Sequence, residues 1–198
     1  ETESISDLRS FYTAVYRTMI SPNLISDVTG EYIVEGKKYH SDFEPYSNFS
    51  TWDTYRAQNP LMALVEQEKV VDFVNSLTSR YTDAKVGLPV WECIGFDNVC
   101  MIGHNTVSVM ADAIVKDLPG IDVESAYIAM RDAAFELDKH SGPYGENGME
   151  YYIEMDFVPA SIGMSVSKTT EYNYFDWCIA EVAKKLHKQE KLLPHMLY

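Results

Sequence analysis

Between residues 6 and 20, Leu8, Phe11, Tyr12, Val15 and Met19 recur at helical spacing until Ser21-Pro22-Asn23 interrupts them, which predicts one amphipathic helix. Glu31–Val34 and residues 37–39 flank Glu35-Gly36, a pattern that predicts a short hairpin closed by a tight turn. The helical period returns behind Pro60, a residue suited to a first turn, and runs through Val70, Phe73, Val74, Leu77 and Tyr81. Val107, Met110, Ala111, Ile114 and Leu118 share one face as far as Pro119-Gly120. Asp122 is placed to cap the next stripe, Val123, Tyr127, Met130, Ala134 and Leu137. In the last one, Phe175, Ile179, Val182 and Leu186 are apolar, and Lys184, Lys185 and Lys188 suit the negative end of the helix dipole. Helices are therefore expected over 6–20, 61–82, 104–118, 123–138 and 167–188, in an all-α or predominantly α chain with one marginal hairpin.

The loops between these helices are unequal in length. Residues 43–52, 87–103 and 140–165 hold most of the Trp, Gly and acidic residues outside helices, and loops beyond about 12–15 residues in a compact domain are usually functional. A length of 198 residues with 46% hydrophobic positions suits one domain, 1–198, with an ample core. Acidic residues outnumber basic ones 30 to 16, giving a net charge of -14. Such a surface repels phosphate backbones and anionic lipid, so nucleic acid is excluded as a partner. No apolar run is long enough for membrane insertion, and Glu1-Thr2-Glu3 does not open a signal peptide. With no initiating Met, the chain is expected to be a piece of something longer.

Chemistry is sought in the loops. Trp52-Asp53 and Trp91-Glu92 each set an indole face beside a carboxylate. Sugar sites use that pair, because the aromatic plane packs on the C–H face of a pyranose while the carboxylate accepts from neighbouring hydroxyls. The alternative is that both Trp are helix-end core residues and both acids N-caps. His40, His104, His140, His187 and His195 show no metal-ligand spacing. They suit surface or supporting roles, with His104 set apart because it lies where the Trp91 loop enters a helix. Cys93, Cys100 and Cys178 are expected to be buried free thiols, and Met101, Met110 and Met130 core fillers. The acidic tract 146–154 lacks a calcium-loop pattern and is expected to be solvated surface.

One longer set of residues is more specific. Tyr46-Ser47-Asn48-Phe49-Ser50-Thr51-Trp52-Asp53-Thr54-Tyr55-Arg56, Asn59-Pro60-Leu61, Leu88-Pro89 with Trp91-Glu92, and Cys100-Met101-Ile102-Gly103 resemble the calcium-dependent α-mannosidases of glycoside hydrolase family 92. Ala111-Asp112-Ala113, Val166-Ser167-Lys168-Thr169, Glu171-Tyr172 and Asp176-Trp177-Cys178-Ile179-Ala180 extend the match in order over nearly the whole chain.

The resemblance implies part of an (α/α)6 toroid of paired helices, which in the full enzyme packs on an N-terminal β-sandwich absent here. It implies a periplasmic or secreted exo-enzyme that removes terminal α-mannose from glycans with inversion, calcium holding hydroxyls of the bound sugar. The family carries its general acid in Glu-Gly-Asn-Ala-Trp, calcium and sugar contacts in Asn-Glu-Pro-x-His-His, and its base in Asn-Asp-Asp-x-Gly. None of these strings occurs in the chain. The resemblance therefore implies no catalytic residue and no metal ligand here, and no tight calcium site. Trp52 and Asp53 carry over as substrate-binding residues, with Trp91, Glu92 and His104 lining the pocket. The implied partners are a mannose-containing glycan and either the remainder of the parent polypeptide or a second copy, covering an exposed half-toroid. The competing function is a stand-alone helical carbohydrate-binding or scaffold module without catalysis.

Overall fold

The computed structural model describes residues 4–98, 100–135 and 148–188. His140, His195 and the ends of the 123–138 and 146–154 segments fall outside them. The described residues fold as eight helices and three two-stranded antiparallel sheets, a predominantly α chain.

In order, the elements are α1 (Ile5–Thr18), β1 (Asn23–Leu24), β2 (Glu31–Val34), β3 (Lys37–His40), β4 (Tyr46–Ser47), α2 (Thr51–Thr54), α3 (Gln58–Val65) and α4 (Gln67–Thr82). They continue with β5 (Glu92–Cys93), β6 (Phe96–Asp97), α5 (Asn105–Val115), α6 (Val123–Phe135), α7 (Met149–Met155) and α8 (Ser165–Lys185). The core lies among α3, α4, α5, α6 and α8. Val74, Leu77, Val107, Met110, Met130, Phe175, Ile179 and Val182 are essentially closed to solvent there, each such side chain contributing about 1.5–3 kcal/mol by leaving water. α5 is the central helix, packed against α8, α4, α3 and α6.

Several elements depart from the pattern in the sequence. The single helix expected over 61–82 begins earlier, at Gln58, and breaks at Glu66, whose φ of -137° and ψ of 54° lie outside the helical region. The apolar stripe continues across this break, so periodicity did not register it. The expected hairpin is present, with Val34 opposite Lys37 and both Glu35 and Gly36 at positive φ, as a primed two-residue turn requires. Two further pairs, β1 with β4 and β5 with β6, were not expected and are too short to show alternation. Residues 140–165, read as loop, contain α7, where Met149 and Tyr152 form a small second core with Val158 and Tyr172.

α1 forms as its period demands, with Ser4 Oγ accepting from the Asp7 amide. Yet it buries no residue: Phe11 and Tyr12 are 60% and 66% exposed. Asp122 caps α6 through the Ser125 amide and hydroxyl. The cysteines are free, but only Cys178 is buried; Cys93 is half-buried and Cys100 exposed, correcting the expectation of three interior thiols. Met101 is likewise exposed, held by a positive φ in the loop before α5, while Met110 and Met130 fill the core. No described helix is long and apolar enough to cross a membrane.

Candidate functional site

The loop from β4 into α2 is fixed from both ends. Phe49 is buried against Phe73, and the Thr51 hydroxyl donates to the Val90 carbonyl at 3.1 Å. The short helix α2 is thereby tied to the segment that carries Trp91. That segment is held by Asp97, whose two carboxylate oxygens accept from the Val90 and Trp91 amides, each at 3.1 Å. The start of α5 joins the same place, because the Thr106 hydroxyl donates to the Pro89 carbonyl at 2.6 Å. Three distant stretches of chain thus meet through side-chain bonds to loop carbonyls and amides.

Three of the five sequence-derived residues come together here. The Ser50 hydroxyl donates to Asp53 Oδ2 and accepts from Trp91 Nε1 at 3.0 Å, so Trp91, Ser50 and Asp53 form one hydrogen-bonded chain. Trp52 lies between Ser50 and Asp53 in sequence and sends its Nε1–H to Glu171 Oε1 on α8 at 3.3 Å. The Arg56 guanidinium stands over the Trp52 and Tyr55 rings, 5.5 and 4.6 Å from their centroids. Asp53 is exposed and sits at the third position of α2, behind Ser50, so it is not the N-cap that the alternative reading made it. Beside Arg56, Tyr55 lines a cavity of about 200 Å³ with Pro60, Ser108, Asp112, Tyr174 and Trp177.

The other two residues are interior. Glu92 follows Trp91 but faces the opposite way, 2% exposed, with its carboxylate 2.9 Å from Arg80. Burial pushes its pKa up to about 7, against the pull of that guanidinium. Arg80 is itself buried and also reaches Glu35 at 3.0 Å and the Gly95 carbonyl at 3.1 Å. His104 is the N-cap residue of α5, 5% exposed, its ring 5.8 Å from that of Tyr172. Burial holds its pKa down at about 4, so the imidazole is neutral, and its Nε2 has no hydrogen-bond partner among the described residues. His40 and His187 are exposed.

Sequence reasoning missed Ser50, Arg56 and Glu171. Arg56 lies one turn beyond Trp52 and could have been found by helical spacing. Glu171 is 119 residues from Trp52 and leaves no local signal. Chemically, the exposed edge offers indole surface, one carboxylate with Oδ1 free of protein hydrogen bonds among the described residues, and a guanidinium. By its chemistry, that set suits polyhydroxylated ligands. Among the described residues no three His, Cys, Asp or Glu side chains group to hold a metal ion.

A family model described as the glycosyl hydrolase family 92 catalytic domain matches residues 1–195. A family GH92 alpha-mannosidase of Bacteroides thetaiotaomicron, solved with mannoimidazole, superposes with a TM-score of 0.85 at 39% identity, covering 94% of this chain and 24% of its own. A family GH92 inverting mannosidase of the same species gives 0.80 at 30% identity, covering 96% and 27%. An uncharacterized secreted glycosidase of Arthroderma benhamiae is 31% identical over 202 residues, 94% of this chain and 22% of that protein. The chain thus spans about a quarter of the length of these relatives.

Proposed function

The chain belongs to glycosyl hydrolase family 92, and from that premise we propose that it is part of the helical toroid of a secreted or periplasmic exo-α-mannosidase, where it forms one edge of the sugar site. The observation that carries this reading is the bonded set Trp91–Ser50–Asp53 with Trp52 alongside. The solved relatives named above are mannosidases, which supports mannose as the sugar.

At this edge Asp53 takes two hydroxyls of the terminal sugar, one on Oδ1 and one on the remaining lone pair of Oδ2, while the Ser50 hydroxyl holds the carboxylate in place. The Trp52 and Trp91 rings pack on the apolar face of the pyranose. Glu92 and His104, both buried, serve as support rather than as direct contacts of the sugar. Hydrolysis with inversion needs an acid on the leaving oxygen and a base on water, about 6.5–9.5 Å apart. We assign both to polypeptide beyond the residues described here. Among the described residues no cluster of His, Cys, Asp and Glu side chains suits calcium, and its ligands are assigned to the same further polypeptide.

Asp53→Asn in the intact enzyme tests the reading. Asn matches Asp in size but lacks the charge that strengthens hydroxyl bonds. We expect kcat/KM to fall about 100-fold or more, the loss of about 3 kcal/mol, with the melting temperature nearly unchanged. Activity within a few-fold of the parent would remove Asp53 from the sugar site.

A further inference from the structure

The Trp52 indole is held on two sides. Its Nε1–H reaches Glu171 Oε1 of α8 at 3.3 Å, and the Arg56 guanidinium lies over its ring. Arg56 is in turn 4.0 Å from the same carboxylate, so one acid from a distant helix anchors both the edge of the ring and the cation on its face. The other oxygen, Glu171 Oε2, is buried without a hydrogen-bond partner among the described residues. It rests against the backbone at Gly103, which has a φ of +81°; a Cβ there would run into Glu171 Oε2 and come within 2.7 Å of Phe175 Cε2. A buried carboxylate oxygen left without a partner is unfavourable, and an apolar side chain of the same length would fill the space without that cost. Packing therefore does not account for an acid at this position. The Trp52 and Arg56 contacts do.

We propose that Glu171 is a positioning residue of the sugar site, fixing the plane of the Trp52 indole by its Nε1–H and holding Arg56 against that ring. The inference rests on the reading of Trp52 as a platform for the sugar. An indole released from Glu171 turns about its side-chain torsions, and a sugar then meets a face that is aligned only part of the time. Stacking acts on bound substrate and transition state alike, so its loss appears in KM rather than kcat.

The test uses the intact enzyme with 4-nitrophenyl α-mannopyranoside and compares Trp52→Ala, Glu171→Leu, the double variant and Glu171→Gln. We expect Glu171→Leu to raise KM about tenfold with kcat within about twofold, and the double variant to be no worse than Trp52→Ala. Glu171→Gln keeps an acceptor for the indole and should return KM to within about threefold of the parent. In a spectrum of indole N–H groups, the Trp52 signal, identified by its loss in Trp52→Phe, should shift in Glu171→Leu and stay near its parent position in Glu171→Gln. If Trp52→Ala leaves KM unchanged, the sugar-platform reading itself fails and takes this inference with it. If Trp52→Ala raises KM while Glu171→Leu does not, or if their effects add, the positioning role alone is overturned. Should Glu171→Leu not fold, Glu171→Ala takes its place in the same comparison, with the same expected and overturning results. A large fall in kcat at unchanged KM would show the carboxylate acting on the reaction directly and overturn the proposal.

Discussion

His104 caps α5 with its backbone while its imidazole is sealed from water. An imidazole whose pKa is held at about 4, against 6.5 in the unfolded chain, resists a proton that the unfolded chain accepts. Its contribution to stability is therefore complete above pH 6.5 and is lost as pH falls toward 4, a total of about 3 kcal/mol. Urea midpoints at pH 4.5 and 7 should show this as a steeper acid loss in the parent than in His104→Gln; parallel losses would mean the ring is hydrated. The same residue shows what was legible at this scale. Trp52, Asp53 and Trp91 could be singled out because indole and carboxylate adjoin in sequence. Glu92 has the same local signature yet faces the interior, where Arg80 from α4 receives its carboxylate. Adjacency names the residue types but not the face.

At the scale of elements, Arg80 joins α4 to two of the small sheets. It bonds Glu35 in the β2–β3 turn, and Glu92 and the Gly95 carbonyl around the β5–β6 turn. Gly95 also donates to Ser47 of β4 at 2.8 Å, so the third sheet joins the same cluster through Gly95 rather than through the guanidinium. Each sheet is too short to persist alone. Arg80→Met leaves Glu92 buried without a countercharge, and we expect a loss of about 3–5 kcal/mol at pH 8. The loss should shrink at pH 5, where Glu92 is protonated, and Arg80→Met with Glu92→Leu should recover most of it. Denaturant titration checks this; a single variant within about 1 kcal/mol of the parent would show that water reaches the pair. None of this network was visible in the sequence, since Glu35, Arg80 and Glu92 stand far apart and an isolated arginine carries no pattern. The β2–β3 hairpin was visible because Glu35-Gly36 encodes its own turn. The break between α3 and α4 was not, because no glycine or proline marks Glu66.

For the whole molecule, the fold class was legible because long stripes with a helical period dominate the chain, and periodicity needs no knowledge of partners. What those stripes pack against is a different question. Leu61, Leu64 and Val65 of α3, Val115 of α5, and Val166 and Trp177 of α8 are all exposed, apolar surface of the kind that a packing partner covers. In keeping with the proposed toroid, we expect purified 1–198 to release no mannose from an α-mannoside and to bind calcium weakly, since general acid and base are each worth about 10²–10⁴ in rate. Turnover and calcium titration check this. Calcium-dependent release of mannose by 1–198 would place the catalytic groups inside it.

α1 gives this surface a temporal side. It spans fourteen residues and buries none of them; Gln58 reaches it from α3 by donating to the Thr18 and Ser21 carbonyls at 2.8 and 2.6 Å. A helix of that length is marginal in water on its own propensity. Its backbone amides should therefore trade hydrogen for deuterium through local fraying, at a rate indifferent to the stability of the core, while those of α5 wait for global opening. The chain behaves as two clocks, and a contact that covers Phe11 and Tyr12 would slow only the faster one.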